Sequence, residues 1–480
     1  MSLTTEQRPS PIRPPVSLAN RPLLTVGYRY ARFVLDEPRH VVALSVTAVF
    51  LYFLVGLTGP NPNTSKLMAG PISVPESMTM PGWLSYPVTY VAIVCGCVGT
   101  YGQLRLYFRG WRPQLNWLFG LGALATAALC LVAPVASSDI GSYVTYGQIQ
   151  QQELLNTNPY TVAPSAFGAM TFFGLVDADW RDTPTVYGPL ASVMQNWVSW
   201  LANAAPYNNE RFNGFLLMAI NGAFFLLVGW ALRRYAPDPV RATLLWTASP
   251  LMLMVLVSGG HIDTLVVAAG IPAVLLLTRV RQAEATASRW RYALAGALTG
   301  VACGIKANAA LIGAGLAWER IRAGDRRSLL VGTAAAIAVL VPTYTLLYGF
   351  PETIEPVSGA ATRTSWLSPW SLVEAAIDAP VFDRVVGVGW PALLVLLAFR
   401  IRRALPGDVP ELPAMQFALA FAWVLAAPWV LPWYHALAIG WLALLPMSKI
   451  DKWVIIHMSV LVIFHNSGWT AVKAGGWSLL

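Results

Sequence analysis

Apolar runs of about twenty residues alternate with short polar connections along most of the chain. A helix that crosses the hydrocarbon of a bilayer needs about 20 predominantly apolar residues, so each run predicts a transmembrane helix. We place about thirteen such helices, at 40–59, 84–104, 115–136, 212–232, 242–258, 261–278, 291–305, 307–321, 328–349, 385–403, 413–430, 434–448 and 453–471. The pattern therefore predicts an all-α polytopic membrane protein.

Two of the polar connections are long, at 137–211 and 350–384. The first begins with SSDIGSYVTYGQIQ, in which Asp139, Tyr143 and Tyr146 recur at the three-to-four spacing of one helix face. Further on, LASVMQNWVSWLANA at 190–204 is apolar but short and carries amide side chains. That combination is typical of a helix that lies in the membrane interface.

The chain accordingly divides into six parts. They are an N-terminal segment (1–38), the first three membrane helices (39–136), the long polar segment (137–211), membrane helices four to nine (212–349), a second long loop (350–384) and the C-terminal membrane helices (385–480). No cleavable signal peptide is visible, so the first membrane helix is expected to direct insertion.

The composition supports a membrane location. Only 11% of the residues are charged and 56% are hydrophobic, whereas soluble domains carry about 25% charged residues. The net charge is +9. The basic residues behind it follow the positive-inside rule, because 25 of the 32 Lys and Arg residues fall on the cytoplasmic side when the N-terminus is placed in the cytoplasm. This topology puts both long polar segments on the outer face of the plasma membrane.

Several function classes are disfavoured by the sequence. It contains no Walker, kinase or dinucleotide motif and no long cytoplasmic segment that could bind a nucleotide. The four cysteines lie within apolar runs, which indicates packing rather than a disulfide framework or a metal site. We therefore expect chemistry at the outer face, with no required cofactor and no nucleic-acid partner.

Asp139 is the first candidate for chemistry because it follows directly on an apolar run. One interpretation is structural, since Asp is a good helix N-cap, worth about 1 kcal/mol. The other is functional, because polar residues grouped at a membrane edge are energetically costly and tend to mark sites. Tyr143, Tyr146 and Tyr187 in the same segment, together with Asp263, are candidates for binding the substrate.

Several stretches together carry a resemblance to a known family. These are SSDIGSYVTYGQI, NPYTVAP, VYGPL and ERF, followed by SGGHIDTLVVAAGIPAVLLL and LTGVACGIKANAALIGAGLAW. They resemble the GT-C superfamily of integral-membrane glycosyltransferases, which use polyprenyl-phosphate sugars. Within it the chain is most similar, over roughly residues 115–320, to the alpha-1,6-mannosyltransferases that extend lipomannan in mycobacteria and corynebacteria. It departs from many GT-C enzymes in having two extra helices before the catalytic loop.

The resemblance implies an inverting transfer of mannose from polyprenyl-phosphate-mannose to a lipid-linked mannan acceptor. In that mechanism one carboxylate acts as general base, and the position of Asp139 matches that of the family aspartate. The leaving phosphate needs positive charge or N–H donors. Candidates on the predicted outer side are Lys306, His261, Arg363 and His435.

Each of these candidates also has a structural interpretation. Lys306 could extend toward the outer headgroups, and His261 with Asp263 could make an interhelical hydrogen bond. Trp366, Trp370, Trp429 and Trp433 are candidates for contact with sugar or lipid, although tryptophan is common in interfacial belts. Three aspartates in DADWRD offer oxygen ligands for a divalent cation, but solvated turn residues are the simpler interpretation and no metal site is predicted.

Two other functions remain open at this level. A GT-C arabinofuranosyl or other polyprenyl-phosphate-sugar transferase would share the base, the topology and the donor chemistry. A flippase or transporter of lipid-linked sugars is the second, although transporters place charges near the bilayer midplane and contain internal repeats. Here the polar residues collect on one face instead.

Overall fold

The structure of the chain, a computed structural model, describes residues 34–152, 157–206, 209–278, 289–360 and 363–465. Within these ranges it is helical, apart from connections and one isolated bridge between Thr64 and Val135. Most of the predicted segment 1–38 and the end of the thirteenth predicted membrane helix lie outside the described residues.

Eighteen α-helices are used below. They are α1 (Pro38–Leu57), α2 (Gly82–Phe108), α3 (Leu115–Cys130), α4 (Asp139–Gln150), α5 (Pro189–Asn203), α6 (Asn209–Tyr235), α7 (Pro239–Leu245), α8 (Pro250–Met252), α9 (Asp263–Thr278), α10 (Arg289–Ile305), α11 (Ala310–Arg322), α12 (Arg326–Leu346), α13 (Phe350–Ala360), α14 (Trp370–Glu374), α15 (Ala379–Ala404), α16 (Glu411–Ala426), α17 (His435–Leu442) and α18 (Ile450–His465). A π-helical turn, Leu253–Ser258, continues α8, and short 3₁₀ turns include Glu76–Met78, Pro164–Phe167, Thr171–Leu175, Ala178–Trp180, Ala307–Ala309 and Pro432–Tyr434.

A helix lies in each of the thirteen predicted membrane segments, which confirms an all-α architecture for the described residues of this multi-pass membrane protein. By length and composition, five of the described helices can cross a membrane: α1, α2, α6, α12 and α15. The pair Pro239–Leu245 and Pro250–Ser258, bent by 44°, makes six if it is one span. Three more apolar helices, including α3, are shorter. A 16-residue helix covers about 24 Å at 1.5 Å per residue, less than the roughly 30 Å of hydrocarbon, so the count of thirteen stays a prediction.

Two elements predicted within the long polar segment are present as helices. The face formed by Asp139, Tyr143 and Tyr146 belongs to α4, which confirms the periodicity in that segment. The short apolar stretch at 190–204 is α5, with Trp197 and Trp200 exposed on one side and the other side buried.

Small residues set how closely the helices around the site approach one another. Gly296, Gly300 and Gly304 recur every four residues along α10. A Cβ atom at Gly296 would overlap with the backbone of Gly332 in α12. One at Gly304 would meet Leu190 of α5 within 3 Å. This small-residue stripe lets helix backbones touch, as at many membrane helix interfaces, and it fixes the end of α10 beside α5.

A buried ion pair joins the C-terminal helices to α7. Arg241 Nε donates to Asp451 Oδ2 at 2.7 Å, and neither side chain is exposed. Both terminal nitrogens of the guanidinium donate to the Leu442 carbonyl, and one of them also donates to the Leu445 carbonyl. Because the donors of this cation are used by a carboxylate and helix-end carbonyls, the pair is satisfied despite its burial.

Candidate active site

The start of α4 is held from two sides. Before it, the backbone N–H of Val135 donates to Ser258 at 3.2 Å, and that of Ala136 donates to Asn63 at 2.8 Å. Ala136 adopts the left-handed conformation, with φ at 62°, which is costly for a residue with a side chain and is maintained only by its surroundings. The helix therefore begins at a fixed point, and Asp139 is its first residue.

The carboxylate of Asp139 points at side chains rather than at the helix backbone. Its Oδ2 atom lies 3.0 Å from His261 Nδ1 and accepts from the Tyr143 hydroxyl at 3.3 Å. The N-cap position belongs to Ser138, whose side chain makes no capping hydrogen bond. The geometry thus favours the functional interpretation of Asp139 over the capping one. With a side chain 25% exposed, the carboxylate can still be reached by a substrate.

The electrostatic surroundings keep Asp139 ionised. Burial raises the pKa of its carboxyl, but the facing His261 and then Lys306 more than offset this, so the pKa lies below its ordinary value. A carboxylate with a lowered pKa is a weak base in the ground state, but it is available in its unprotonated form over a wide pH range.

His261 is brought to Asp139 by a tight turn after the π-helical segment. Gly260, with φ at +68°, makes this turn, and a Cβ atom there would overlap with the side chain of Ile140 in α4. The His261 ring then stacks on Trp433 at 3.6 Å between centroids and 14° between planes, and it is only 1% exposed. His261 is thus a partner of the carboxylate, set between Asp139 and Trp433.

Lys306 and Asp263 form a second charged pair. Lys306 follows the last residue of α10, and its Nζ atom lies 2.8 Å from Asp263 Oδ2. The same ammonium lies 4.6 Å from the ring centroid of Tyr434. Its side chain is 15% exposed and turned into the protein, so the alternative in which it extends to headgroups is not the conformation observed.

Three tyrosines line the helix α4 side of the site. The rings of Tyr143 and Tyr187 meet edge to face at 5.0 Å, and the Tyr146 hydroxyl donates to the carbonyl oxygen of Thr183 at 3.0 Å. Burial, followed by the negative charge of Asp139, raises the pKa of Tyr143 and of Tyr187 well above the ordinary value. These hydroxyls therefore stay protonated and serve as hydrogen-bond donors or acceptors, not as bases.

Four other predicted site residues make their contacts with other partners. His435 is fully buried and bonds the Pro432 carbonyl and His457, each through one ring nitrogen. Trp370 is buried and donates its indole N–H to the Ala426 carbonyl at 2.6 Å. Trp366 packs on Phe464, and Arg363 lies over the ring of Trp180. The structure thus joins Asp139, His261, Asp263, Lys306, Trp433 and the three tyrosines, and leaves these four residues outside that group.

Tyr434, which contacts Lys306, was missed from the sequence. Its only signal was its place beside Trp433 and His435 in PWYH. Asp177, Asp179 and Asp182 are exposed, and Asp177 caps a 3₁₀ turn by accepting from the Asp179 N–H at 3.4 Å. Within the described ranges, no group of three or more His, Cys, Asp or Glu side chains is placed to hold a metal ion.

Comparison with known proteins gives two matches. A family model described as alpha-(1->6)-mannopyranosyltransferase, N-terminal domain, matches residues 45–322. This range includes Asp139, His261, Asp263 and Lys306. The chain is 28% identical over 189 residues to alpha-(1->6)-mannopyranosyltransferase A of Corynebacterium glutamicum. That alignment covers 38% of the chain and 34% of the relative, so the match spans about a third of the relative's length. No solved structure matches the chain.

Proposed function

Because the chain belongs to the alpha-(1->6)-mannopyranosyltransferase family, we propose that it transfers mannose from polyprenyl-phosphate-mannose to a lipid-linked mannan acceptor. The new linkage is alpha-1,6, and the reaction takes place at the outer face of the plasma membrane. The observation that carries the proposal is the partly exposed carboxylate of Asp139, 3.0 Å from His261 Nδ1, in a site that also holds the ammonium of Lys306.

The proposed reaction is a single displacement. A hydroxyl oxygen of the acceptor attacks the anomeric carbon of mannose while the bond from that carbon to the phosphate oxygen breaks. The hydroxyl proton passes to a carboxylate oxygen of Asp139, and polyprenyl phosphate leaves with the bonding electron pair. A positioned general base of this kind contributes typically 10²–10⁴-fold in rate.

Lys306 is the group best placed to stabilise the leaving phosphate. In the described structure its charge is partnered by Asp263, at 2.8 Å, which keeps an otherwise costly cation in place. A phosphate near this pair would add charge-assisted hydrogen bonds from the same ammonium. His261 has a different part, because its ring is buried against Trp433 and its Nδ1 atom is committed to Asp139.

The arrangement favours inversion over retention. Retaining transfer by double displacement uses a second carboxylate about 5 Å from the first, free to act as nucleophile. The nearby acid Asp263 is 3% exposed and paired with Lys306, so it is poorly suited to attack a sugar. A single displacement requires one base for the acceptor hydroxyl and one cation for the leaving phosphate. Asp139 and Lys306 supply these two groups.

Family membership favours mannose over arabinofuranose as the transferred sugar. A flippase is the second candidate from the sequence, and scrambling of lipid-linked mannose in proteoliposomes without glycosidic bond formation would support it instead. We propose that no metal is needed, since the leaving group is a monophosphate and Lys306 can receive its charge. Unchanged activity in EDTA is the expected result.

The function is tested with the purified full-length chain in detergent or nanodiscs. Radiolabelled polyprenyl-phosphate-mannose and a synthetic alpha-1,6-mannoside acceptor should yield a product that is lengthened by mannose and cleaved by an alpha-1,6-mannosidase. Polyprenyl-phosphate-arabinose and GDP-mannose serve as matched donors. Transfer from either of these in place of polyprenyl-phosphate-mannose would overturn the proposal.

A further inference from the structure

Three separate parts of the chain meet at one end of the candidate site. They are the 3₁₀ turn region 178–183, the loop 363–369 and the segment 427–430. Hydrogen bonds join the second to the third: Ser365 N–H donates to the Pro428 carbonyl at 2.9 Å, and Val430 N–H donates to Ser365 Oγ at 2.9 Å. Ser368 Oγ also donates to the Ala427 carbonyl at 3.0 Å. The side chains at this junction are therefore held on a rigid backbone.

The junction presents two tryptophans and one arginine. The rings of Trp180 and Trp429 meet edge to face at 6.1 Å, and both side chains are partly exposed. The guanidinium carbon of Arg363 lies 4.3 Å from the centroid of Trp180. Arg363 also donates to Thr183 Oγ1 at 2.9 Å. Its other terminal nitrogen donates to the Asp179 carbonyl at 3.5 Å. A guanidinium carries five N–H donors, so this one has further donors for a ligand.

This cluster is continuous with the catalytic groups on two sides. The indole of Trp429 lies beside the hydroxyl of Tyr434, whose ring contacts Lys306 at 4.6 Å. On the other side, the Thr183 carbonyl accepts from Tyr146, which shares helix α4 with Asp139. A chain molecule whose end lies at Asp139 could therefore extend across Trp429 and Trp180.

The local charge separates a neutral ligand from an anionic one. Asp177, Asp179 and Asp182 are exposed in the same turn region as Trp180. These three negative charges outnumber the two positive charges nearby, those of Arg181 and Arg363. A phosphate would be repelled here, whereas a neutral sugar can stack its C–H face on an indole ring and accept hydrogen bonds from a guanidinium.

We propose that Trp180, Trp429 and Arg363 form a subsite for the sugar chain of the acceptor, a neutral alpha-linked hexose oligomer. The proposal rests on the proposed function and assigns Arg363 to acceptor hydroxyls, not to the donor phosphate as the sequence suggested. Trp429 contacts Tyr434, whose ring lies on Lys306, and Trp180 with Arg363 supplies the second sugar contact of the subsite.

The first test is a binding measurement that requires no turnover. Saturation-transfer NMR with alpha-1,6-mannotetraose on the detergent-solubilised full chain reports ligand binding directly. We expect Trp180→Ala and Trp429→Ala to weaken binding roughly tenfold, the size of one lost aromatic contact. Trp180→Phe keeps a ring and should bind nearly as well as the wild type.

The matched control is a second tryptophan pair with similar geometry. Trp197 and Trp200 meet edge to face at 5.9 Å on α5 and are 66% and 56% exposed. Trp197→Ala should leave mannotetraose binding unchanged. Equal binding by wild type and Trp180→Ala, or equal losses in Trp180→Ala and Trp197→Ala, would overturn the subsite.

Kinetics separates this proposal from the function on which it rests. If the wild-type chain transfers mannose, Trp180→Ala should raise KM for the acceptor and leave KM for the donor unchanged, which also shows that the variant is folded. Arg363→Lys keeps the charge but loses the fork and should raise the acceptor KM in the same way. A raised donor KM in Arg363→Lys would return Arg363 to the phosphate site and contradict the proposal. No transfer by the wild type would instead refute the proposed function.

Discussion

Single residues in the site act as pairs. Asp139 faces His261 at 3.0 Å, and Lys306 faces Asp263 at 2.8 Å, so each charged group meets a partner of complementary character. Such pairing lowers the cost of placing charge near a membrane. It also makes the pKa of the base dependent on its neighbour, which gives a measurable prediction.

Replacement of His261 by Phe should shift the acid limb of the pH profile. Phe keeps the stack on Trp433 but removes the Nδ1 atom, so burial is opposed less and the pKa of Asp139 rises. Because the proposed mechanism uses the ionised carboxylate, activity should be lost at a higher pH than in the wild type as the pH falls. The profile of kcat/KM measures this, with Tyr143→Phe expected to shift less, since Tyr143 is a weaker cause of the lowered pKa. An unmoved acid limb would contradict the role of His261.

Loss of Lys306 should impair use of the donor. A charge-assisted hydrogen bond is worth roughly 1.5–3 kcal/mol, so the donor KM should rise by about 10–100-fold. Lys306→Met alone would leave Asp263 buried without its partner, so we specify Lys306→Met combined with Asp263→Asn. The control is Asp263→Asn alone, which keeps the ammonium. If Lys306 serves only to neutralise Asp263, the double variant will show a normal donor KM.

At the scale of elements, the site depends on how closely the end of α10 approaches the start of α5. The backbone N–H of Gly188 donates to the Ile305 carbonyl at 2.9 Å, one residue before Lys306. A Cβ atom at Gly188 would overlap with the backbone of Gly304. The position of Lys306 is thus coupled to the VYGPL stretch on the far side of the long polar segment.

The variant Gly188→Ala should separate these two elements. Overpacking of this kind costs about 1–3 kcal/mol, so we expect a Tm lower by a few degrees and a higher donor KM because Lys306 moves. Gly174→Ala lies in the same polar segment with open space around it and should change neither quantity. Wild-type Tm and donor KM in Gly188→Ala would show that the contact does not position the site.

How far the sequence predicts these elements depends on their local signal. The apolar runs and the three-to-four spacing in 139–150 predicted the helices, because periodicity is a local property. Two features of the site depend instead on contacts between residues far apart in sequence. These are the turn that places His261 beside Asp139 and the pairing of Lys306 with Asp263. The sequence likewise predicts His435 and Trp370 at the site, because it does not show their distant partners. His435 bonds Pro432 and His457, and Trp370 bonds Ala426.

At the scale of the whole molecule, the topology rests on the distribution of basic residues. Arg241 is one of the 25 basic residues that fall on the predicted cytoplasmic side, but it is fully buried in its pair with Asp451. Without it, 24 of the remaining 31 Lys and Arg residues still fall on the predicted cytoplasmic side. The bias that predicts an outer location for 137–211 is therefore almost unchanged.

Cysteine labelling tests this orientation. Ser165→Cys, exposed in the long polar segment, should react with a membrane-impermeant maleimide in intact cells. Ala323→Cys, exposed between α11 and α12, should react only after lysis. Of the four native cysteines, three are buried, so their background labelling should be small. Labelling of Ala323→Cys in intact cells, with Ser165→Cys reacting only after lysis, would show that the orientation is opposite to the predicted one.

The central claim is that the carboxylate of Asp139 takes the proton from the acceptor hydroxyl. Asp139→Asn tests it most directly, because Asn keeps the size of the side chain and can still hydrogen-bond His261 and Tyr143, yet cannot accept the proton. Initial rates of mannose transfer from polyprenyl-phosphate-mannose should fall by at least about 10²-fold, while the Tm and the binding of the acceptor remain close to those of the wild type. Transfer by the purified Asp139→Asn chain at a wild-type rate would contradict the account.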